Sequence, residues 1–196
     1  MRVSLVFLAS FFCLWANISA ALEETSYRVL AANQIYEIRE YDDRIAVQTT
    51  QKNGQNGAFR KLFKYISGSN ISSAKIDMAS PVAQSVKIDM TTPVTQRFQD
   101  GKVIMRFFLP RKFQLETAPK PLSDDLSIVL IKGGKYAVIK YSGRSTYKNF
   151  EKHSKLLLEA LAADKIQTVD QPIKATFNGP LTPFFVRRNE AMVRIN

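Results

Sequence analysis

The sequence predicts an α+β domain in which two helices pack on an antiparallel sheet. Two segments rich in β-forming residues, 34–50 (QIYEIREYDDRIAVQTT) and 127–144 (SIVLIKGGKYAVIKYSGR), each have the pattern strand, turn, strand. Each segment is followed by apolar residues at helical spacing. Because one amphipathic helix cannot bury its apolar face alone, we expect both helices to lie on one sheet.

The two blocks also predict a pseudo-twofold internal repeat. They match at a constant offset of 91 residues, which places Phe59 over Phe150. Residues 34–66 and 125–157 should therefore superpose by a roughly twofold rotation, with Phe59 and Phe150 in equivalent buried positions. A cleft between the two halves is expected.

The first helix is predicted within residues 56–68 (NGAFRKLFKYISG), with Asn56 as its cap and Gly68 at its end. The second is predicted within residues 145–165 (STYKNFEKHSKLLLEALAADK). Further strands should follow each helix, at 103–110 (VIMRFFLP) after the first and at 173–178 (IKATFN) and 190–195 (EAMVRI) after the second.

A phrase of eight residues occurs twice between the two blocks. Lys75–Val82 (KIDMASPV) returns as Lys87–Val94 (KIDMTTPV). Ile and Met alternate with Lys and Asp in both copies, so the pair is predicted to form a hairpin with matching faces. Two interpretations remain open: the strands were duplicated for packing alone, or Met78, Met90 and Pro93 line a ligand cleft.

The first twenty residues, MRVSLVFLASFFCLWANISA, predict a secretory signal peptide. One basic residue precedes an apolar run that ends in small residues. The run is shorter than the roughly 20 residues that a membrane-spanning helix needs. We therefore expect a signal peptide over 1–20, a mature domain over 21–196 and a periplasmic or secreted protein. An uncleaved anchor or a buried first helix is the alternative.

Composition excludes several classes of site. The only Cys, Cys13, lies within the predicted signal peptide, and the chain has one His, His153. Cysteine-based metal centres and two-histidine metal sites are thereby excluded from the mature domain. The formal charge of +11 is spread along the chain. For an exported protein it favours small anionic ligands or an anionic membrane or envelope surface over nucleic acid.

Five stretches together resemble the SOUL haem-binding protein family: YEIREY, GAFRKLFKYISGSN, KIDMTTPVTQ, KYAVIKYSGR and TPFFVRRNEAMV. The similarity runs from Tyr27 to Ile195, and the second KIDM copy carries the Met-Thr-x-Pro-Val pattern of the family. The first copy departs from it at Ala79. The resemblance implies a twisted antiparallel eight-stranded sheet or distorted barrel with two helices.

The resemblance also implies a ligand, haem b or a related tetrapyrrole, in an open hydrophobic groove near the first helix. Haem is a flat apolar disc with two carboxylates, so its site needs apolar walls and a basic rim. Arg60 and Lys64, four residues apart, could bind the propionates. The implied ligand-binding residues are Phe59, Arg60, Leu62, Phe63, Lys64, Met78, Met90 and Pro93.

His153 is the candidate axial ligand to iron, with Tyr65 a weaker one. His153 lies beside the apolar stripe of the second helix, and we expect it to border the core rather than to bind iron.

The sequence thus favours an exported tetrapyrrole-binding protein without enzymatic activity. One alternative is a binding module for other amphipathic molecules or lipids. The other is an enzyme that acts on a bound porphyrin, although no nucleophile–base pair stands out in the sequence.

Overall fold

The structure is a computed structural model that describes residues 22–52, 55–73 and 84–196. The predicted signal peptide and the first KIDM copy, with Met78, lie outside the described residues. The strands of the described part are β1 (Glu23–Glu24), β2 (Arg28–Ala32), β3 (Glu37–Tyr41), β4 (Arg44–Gln51), β5 (Asn70–Ile71), β6 (Thr91–Thr92), β7 (Val94–Gln99), β8 (Lys102–Phe108), β9 (Lys120–Pro121), β10 (Leu126–Ile131), β11 (Gly134–Tyr141), β12 (Ile173–Thr176) and β13 (Asn189–Arg194), and the helices are α1 (Gln55–Ile66), α2 (Tyr147–Ala163) and a short 3₁₀ turn (Phe184–Val186).

Nine of these strands form one strongly curled, open antiparallel sheet in the order β10-β4-β8-β7-β12-β13-β11-β3-β2. With two helices on it, the sheet confirms the predicted α+β class. The expected number of eight strands is exceeded by β2, which pairs along β3 at the edge of the sheet. All five residues of β2 are exposed, so it lacks the alternation of buried and exposed residues that would have predicted it.

Consecutive strands in the two predicted strand–turn–strand segments do not pair with each other. Only residues 42–43 separate β3 from β4, and only 132–133 separate β10 from β11. Yet β3 pairs with β11, and β4 pairs with β10. Each pair of directly linked strands is six places apart in the sheet order. A two-residue link cannot span six strands of a flat sheet, since the chain extends at most about 3.6 Å per residue. The sheet must therefore curl.

The two links pass each other in close contact at Gly133. A Cβ atom built on Gly133 would lie 2.3 Å from the carbonyl oxygen of Tyr41 and 2.8 Å from the carbonyl carbon of Asp42. The Gly133 N–H donates to Asp43 Oδ1 at 2.8 Å, and Lys132 Nζ donates to Asp43 Oδ2 at 2.8 Å. Glycine at position 133 is thus required by the approach of two backbones.

The pairing register agrees with the 91-residue offset of the predicted repeat. Glu37 of β3 faces Val138 of β11, and the residues 91 positions away, Ile128 and Val47, face each other in β10 and β4. These pairings are the ones that a twofold repeat requires, while superposition of the two halves stays a prediction. The expected equivalent burial of the two phenylalanines is wrong.

Both helices pack on the same face of the sheet. Helix α1 covers β4 and β8, and α2 covers β11 and β13. The cross-strand pairings place Val47 of β4, Lys174 of β12 and Ile139 of β11 on this same face. The apolar residues of each helix that face the sheet form separate cores: Ala58, Leu62, Tyr65 and Ile66 in one, and Phe150, Leu157 and Leu161 in the other.

The helix ends follow the predicted signals in part. Helix α1 includes Asn56 in its first turn, so the predicted cap at that residue is wrong. Gly68 ends the helix as predicted: it has φ +122°, and its N–H donates to the carbonyl oxygen of Tyr65 at 3.2 Å. Helix α2 begins after Thr146, whose hydroxyl accepts a bond from the Asn149 N–H at 3.2 Å.

The second KIDM copy does not form the predicted hairpin strand. Residues 84–90 form no strand and pair with no strand of the described residues, and the two-residue strand β6 that follows pairs in parallel with β1. The predicted alternation is present: Ile88 is buried and Met90 is half-buried, while Lys87 and Asp89 are exposed. The Ile88 N–H donates to the carbonyl oxygen of Ile66 at 2.8 Å. This segment is therefore hydrogen-bonded to the end of α1 rather than to a neighbouring strand.

Candidate functional site

The outer face of α1 carries an exposed pair of aromatic rings. Phe59 is 37% exposed and Phe63, one turn later, is 48% exposed. Their ring centroids lie 6.1 Å apart with an interplanar angle of 13°. Phe59 also contacts the core ring of Phe107 edge-on at 5.2 Å. The pair forms an open apolar surface that is anchored to the core at one end.

Two cations flank this surface. Arg60 and Lys64 are exposed on α1, and neither forms an ion pair with any described residue. Lys61, on the same helix, differs because it is paired with Asp125. The side chains of Arg60 and Lys64 are therefore free to bind an anionic group next to the aromatic pair.

The other residues predicted for this site are mostly buried or lie outside the described part of the chain. Leu62 is completely buried in the core beneath α1 and offers no surface to a ligand, so its assignment to the groove is corrected. Met90 is half-buried and packs against the same core. Pro93 is buried after a cis Thr92–Pro93 bond. Met78 lies outside the described residues.

His153 is built into α2 and is remote from the aromatic pair. Its ring stacks on Tyr141 with centroids 4.1 Å apart, and its Nδ1 hydrogen-bonds with the carbonyl oxygen of Asn149 at 2.8 Å. The strand pair under α1 is four strand spacings from the pair under α2, which is roughly 19 Å along the sheet. His153 thus belongs to the other helix and the other core from Phe59 and Phe63, and that it does not bind iron stays a prediction.

A cavity of about 560 Å³, which the sequence analysis did not predict, lies at the start of β4 and the ends of β8 and β10. Its volume is within the range of about 300–1,000 Å³ typical of small-molecule sites. Apolar walls come from Phe108, Leu109 and Phe113, and charged ones include Arg111 and Glu23. The segment 108–116 supplies much of the wall, and Glu23, Arg44 and Leu130 reach it only through the fold, so no local motif reveals the cavity.

A buried ion-pair network lies on the sheet face opposite the helices. Arg39 is fully buried and binds Glu190 through two hydrogen bonds of 2.9 and 3.2 Å. Arg188 Nε donates to the same carboxylate at 2.9 Å. Burial alone would lower the pKa of Arg39, but Glu190 raises it overall. The carboxylate of Glu190, which the sequence left without a role, is thus held between two arginines.

The described residues provide no cluster of three or more His, Cys, Asp or Glu side chains that could hold a metal ion. None of the helices within 22–52, 55–73 and 84–196 is both long and apolar enough to cross a membrane.

Comparison of the sequence with protein families decides the assignment. The profile of the SOUL heme-binding protein matches residues 22–194. The chain belongs to the SOUL haem-binding protein family. The predicted resemblance is confirmed over nearly the whole of the described chain, and the family supports a binding role. Comparison with curated proteins gives no match.

Solved structures share the fold of this SOUL-family chain at low sequence identity. A hydrolase from Listeria innocua has a TM-score of 0.54 and 9% identity, and the match covers 85% of this chain and 94% of that one. The C-terminal domain of EcmrR has a TM-score of 0.56 and 9% identity, covering 87% and 98%. An uncharacterised conserved protein from Listeria innocua has a TM-score of 0.56 and 10% identity, covering 85% and 94%. At this identity the likeness concerns the fold alone.

Proposed function

We propose that this SOUL-family chain is an exported protein that binds haem or a related tetrapyrrole and catalyses no reaction on it. The observation that carries the proposal is the exposed Phe59–Phe63 pair with the cations Arg60 and Lys64 beside it. Membership of a haem-binding family supports the ligand class. The pattern of apolar surface and basic rim is the one that a flat disc with two carboxylates requires.

The residues present fit a tetrapyrrole held by its faces and edges. The two phenylalanine rings supply apolar area for the macrocycle, and Arg60 and Lys64 supply charge-assisted hydrogen bonds for the propionates. Haem would bring its own iron chemistry, which this role of binding and transport does not use. Without a ligand from His153, affinity rests on burial and charge. We expect a dissociation constant of about 1 μM, near −8 kcal/mol.

A charge reversal on α1 tests the proposal. In a haem titration followed by the Soret band, the double variant Arg60→Glu/Lys64→Glu should bind more weakly by roughly 1–3 kcal/mol. The matched control is Lys148→Glu/Lys152→Glu, which reverses two exposed cations four residues apart on α2. The control should keep the affinity of the wild type. Equal losses in both variants would show a general charge effect and contradict a site on α1.

A second candidate function is favoured by the cavity of about 560 Å³ beside Phe113. Its apolar walls and charged rim suit an amphipathic molecule or a lipid. The probe is a fluorescent fatty acid. Loss of its binding in Phe113→Glu, together with no displacement by haem in the wild type, would assign this ligand class to the cavity. If haem displaces the probe and Arg60→Glu does not weaken haem binding, the tetrapyrrole site belongs there instead.

Export rests on the first twenty residues. Mass spectrometry of the protein from its natural source should find residues 1–20 missing. A mature protein that retains Met1 or Trp15 would contradict export through a cleaved signal peptide.

A further inference from the structure

A smaller cavity of about 180 Å³ lies on the sheet face opposite the helices. Seven strands contribute to its walls, from β10 at one end of the sheet order to β11 near the other. Its volume is below the roughly 300 Å³ at which pockets for drug-sized ligands begin. A tetrapyrrole does not fit in it, but a compact ion does.

Positive charge dominates the walls. Five cationic side chains and one carboxylate line the cavity. The carboxylate of Asp170 is already bound to Arg97 at 3.2 Å. Lys132 is paired with Asp43 at 2.8 Å, and Arg194 Nη2 donates to the carbonyl oxygen of Gly133 at 2.9 Å. The six charged wall residues are Arg44, Arg97, Arg106, Lys132, Asp170 and Arg194.

Besides Arg194, the wall cations that lack a counter-charge among the described residues are Arg44 and Arg106. Neither forms an ion pair with any residue in the described part of the chain. The guanidinium of Arg44 lies between two rings, 4.4 Å from the centroid of Tyr41 and 4.5 Å from that of Phe108. Arg106 Nε donates to the neutral side-chain oxygen of Gln48 at 2.7 Å. Both side chains are thus held in place, and their charges remain available.

Two arginines of this cavity have hydrogen-bond donors without a partner among the described residues. The Nε atoms of Arg44 and Arg97 are buried and have no hydrogen-bond partner among the described residues. Burial lowers the pKa of Arg44, and burial together with the charge of Arg97 lowers the pKa of Arg106. Buried donors and buried like charges are unfavourable unless something pairs with them. An anion with several acceptor oxygens would satisfy both requirements.

We propose that this cavity is a binding site for a phosphate group, held chiefly by Arg44 and Arg106, with Arg97 as the third cation. Guanidinium groups match the geometry of phosphate oxygens, and three of them converge here on a compact space. The cavity shares Arg44, Phe108 and Leu130 with the neighbouring cavity of about 560 Å³. The phosphate is therefore either free or the head of an amphipathic molecule whose apolar part occupies the larger cavity.

Calorimetric titration of the purified protein distinguishes the two sources. Inorganic phosphate and hexyl phosphate are each titrated at constant ionic strength set with chloride. Binding of both with similar affinity assigns the site to free phosphate, and hexyl phosphate at least tenfold tighter assigns it to an amphipathic phosphate. Binding of neither, or tighter binding of citrate than of either phosphate, would overturn the proposal.

Variants locate the binding in the cavity. Arg44→Gln and Arg106→Gln should each weaken phosphate binding by about tenfold or more, because each removes a charge-assisted hydrogen bond. The control Arg144→Gln removes an exposed arginine that is not part of the cavity and should bind as the wild type does. Arg44→Gln and Arg106→Gln should both retain haem binding, so the phosphate proposal and the haem proposal are tested independently. Wild-type phosphate affinity in folded Arg44→Gln and Arg106→Gln would refute the assignment.

Discussion

Replacing Gly133 by alanine tests the crossing of the two strand links that determines the sheet topology. The new Cβ would lie 2.3 Å from the Tyr41 carbonyl oxygen, 2.8 Å from the Asp42 carbonyl carbon and 3.0 Å from the Asp43 nitrogen. All three atoms belong to the backbone, so no side chain can rotate away. Overpacking usually costs 1–3 kcal/mol, and we expect about 3 kcal/mol or more here because two links must separate.

Urea unfolding followed by circular dichroism measures this loss through the shift of the transition midpoint. Gly179→Ala is the matched control, because a Cβ at that position meets nothing within 4 Å. The control should change the free energy of unfolding by no more than about 0.5 kcal/mol. Equal stability of Gly133→Ala and Gly179→Ala would refute the crossing of the links, and with it the exchange of strand partners.

Three further substitutions test buried polar groups. Glu190→Gln should lower the free energy of unfolding by about 3 kcal/mol, because it leaves Arg39 and Arg188 without their shared carboxylate; urea unfolding against the wild type measures it, and an unchanged midpoint contradicts it. Burial lowers the pKa of Lys174 from 10.5 to about 8, so the unfolded chain binds more protons between these values and stability should rise with pH across them. Lys174→Met should therefore be more stable than the wild type at pH 7 and lose this advantage by pH 10.5, and a difference in stability that does not vary with pH would refute it. His153→Ala should leave the Soret spectrum of the haem complex almost unaltered, whereas a collapsed spectrum with intact circular dichroism would make His153 the iron ligand.

The elements of the fold were predictable where apolar periodicity is strong. The two helices and the strands around Val47 and Val138 follow from local pattern. The exchange of partners between β3–β4 and β10–β11 was not predictable, because a two-residue link gives the same local signal whether or not its flanking strands pair. Gly133 allows the two links to approach each other, but this requirement is visible only in the structure, where residues 42–43 lie beside it.

The candidate site was predictable in outline and not in detail. Helical spacing places Phe59, Leu62 and Phe63 on one broad stripe, but spacing does not say which edge of the stripe the sheet covers. The sheet covers Leu62 and leaves the two rings exposed. The arginine cavity had no sequence signal, since Arg44 and Arg106 come to line one cavity only through the pairing of β4 with β8.

The most direct test of haem binding on α1 is nuclear magnetic resonance of ¹⁵N-labelled protein with ferric haem. Paramagnetic iron broadens the amide signals of nearby residues, and diamagnetic zinc protoporphyrin gives the reference. We predict that the amides of residues 59–64 lose intensity with ferric haem while those around His153 keep theirs. Broadening centred on His153, or on Phe113 beside the larger cavity, would contradict the proposed site.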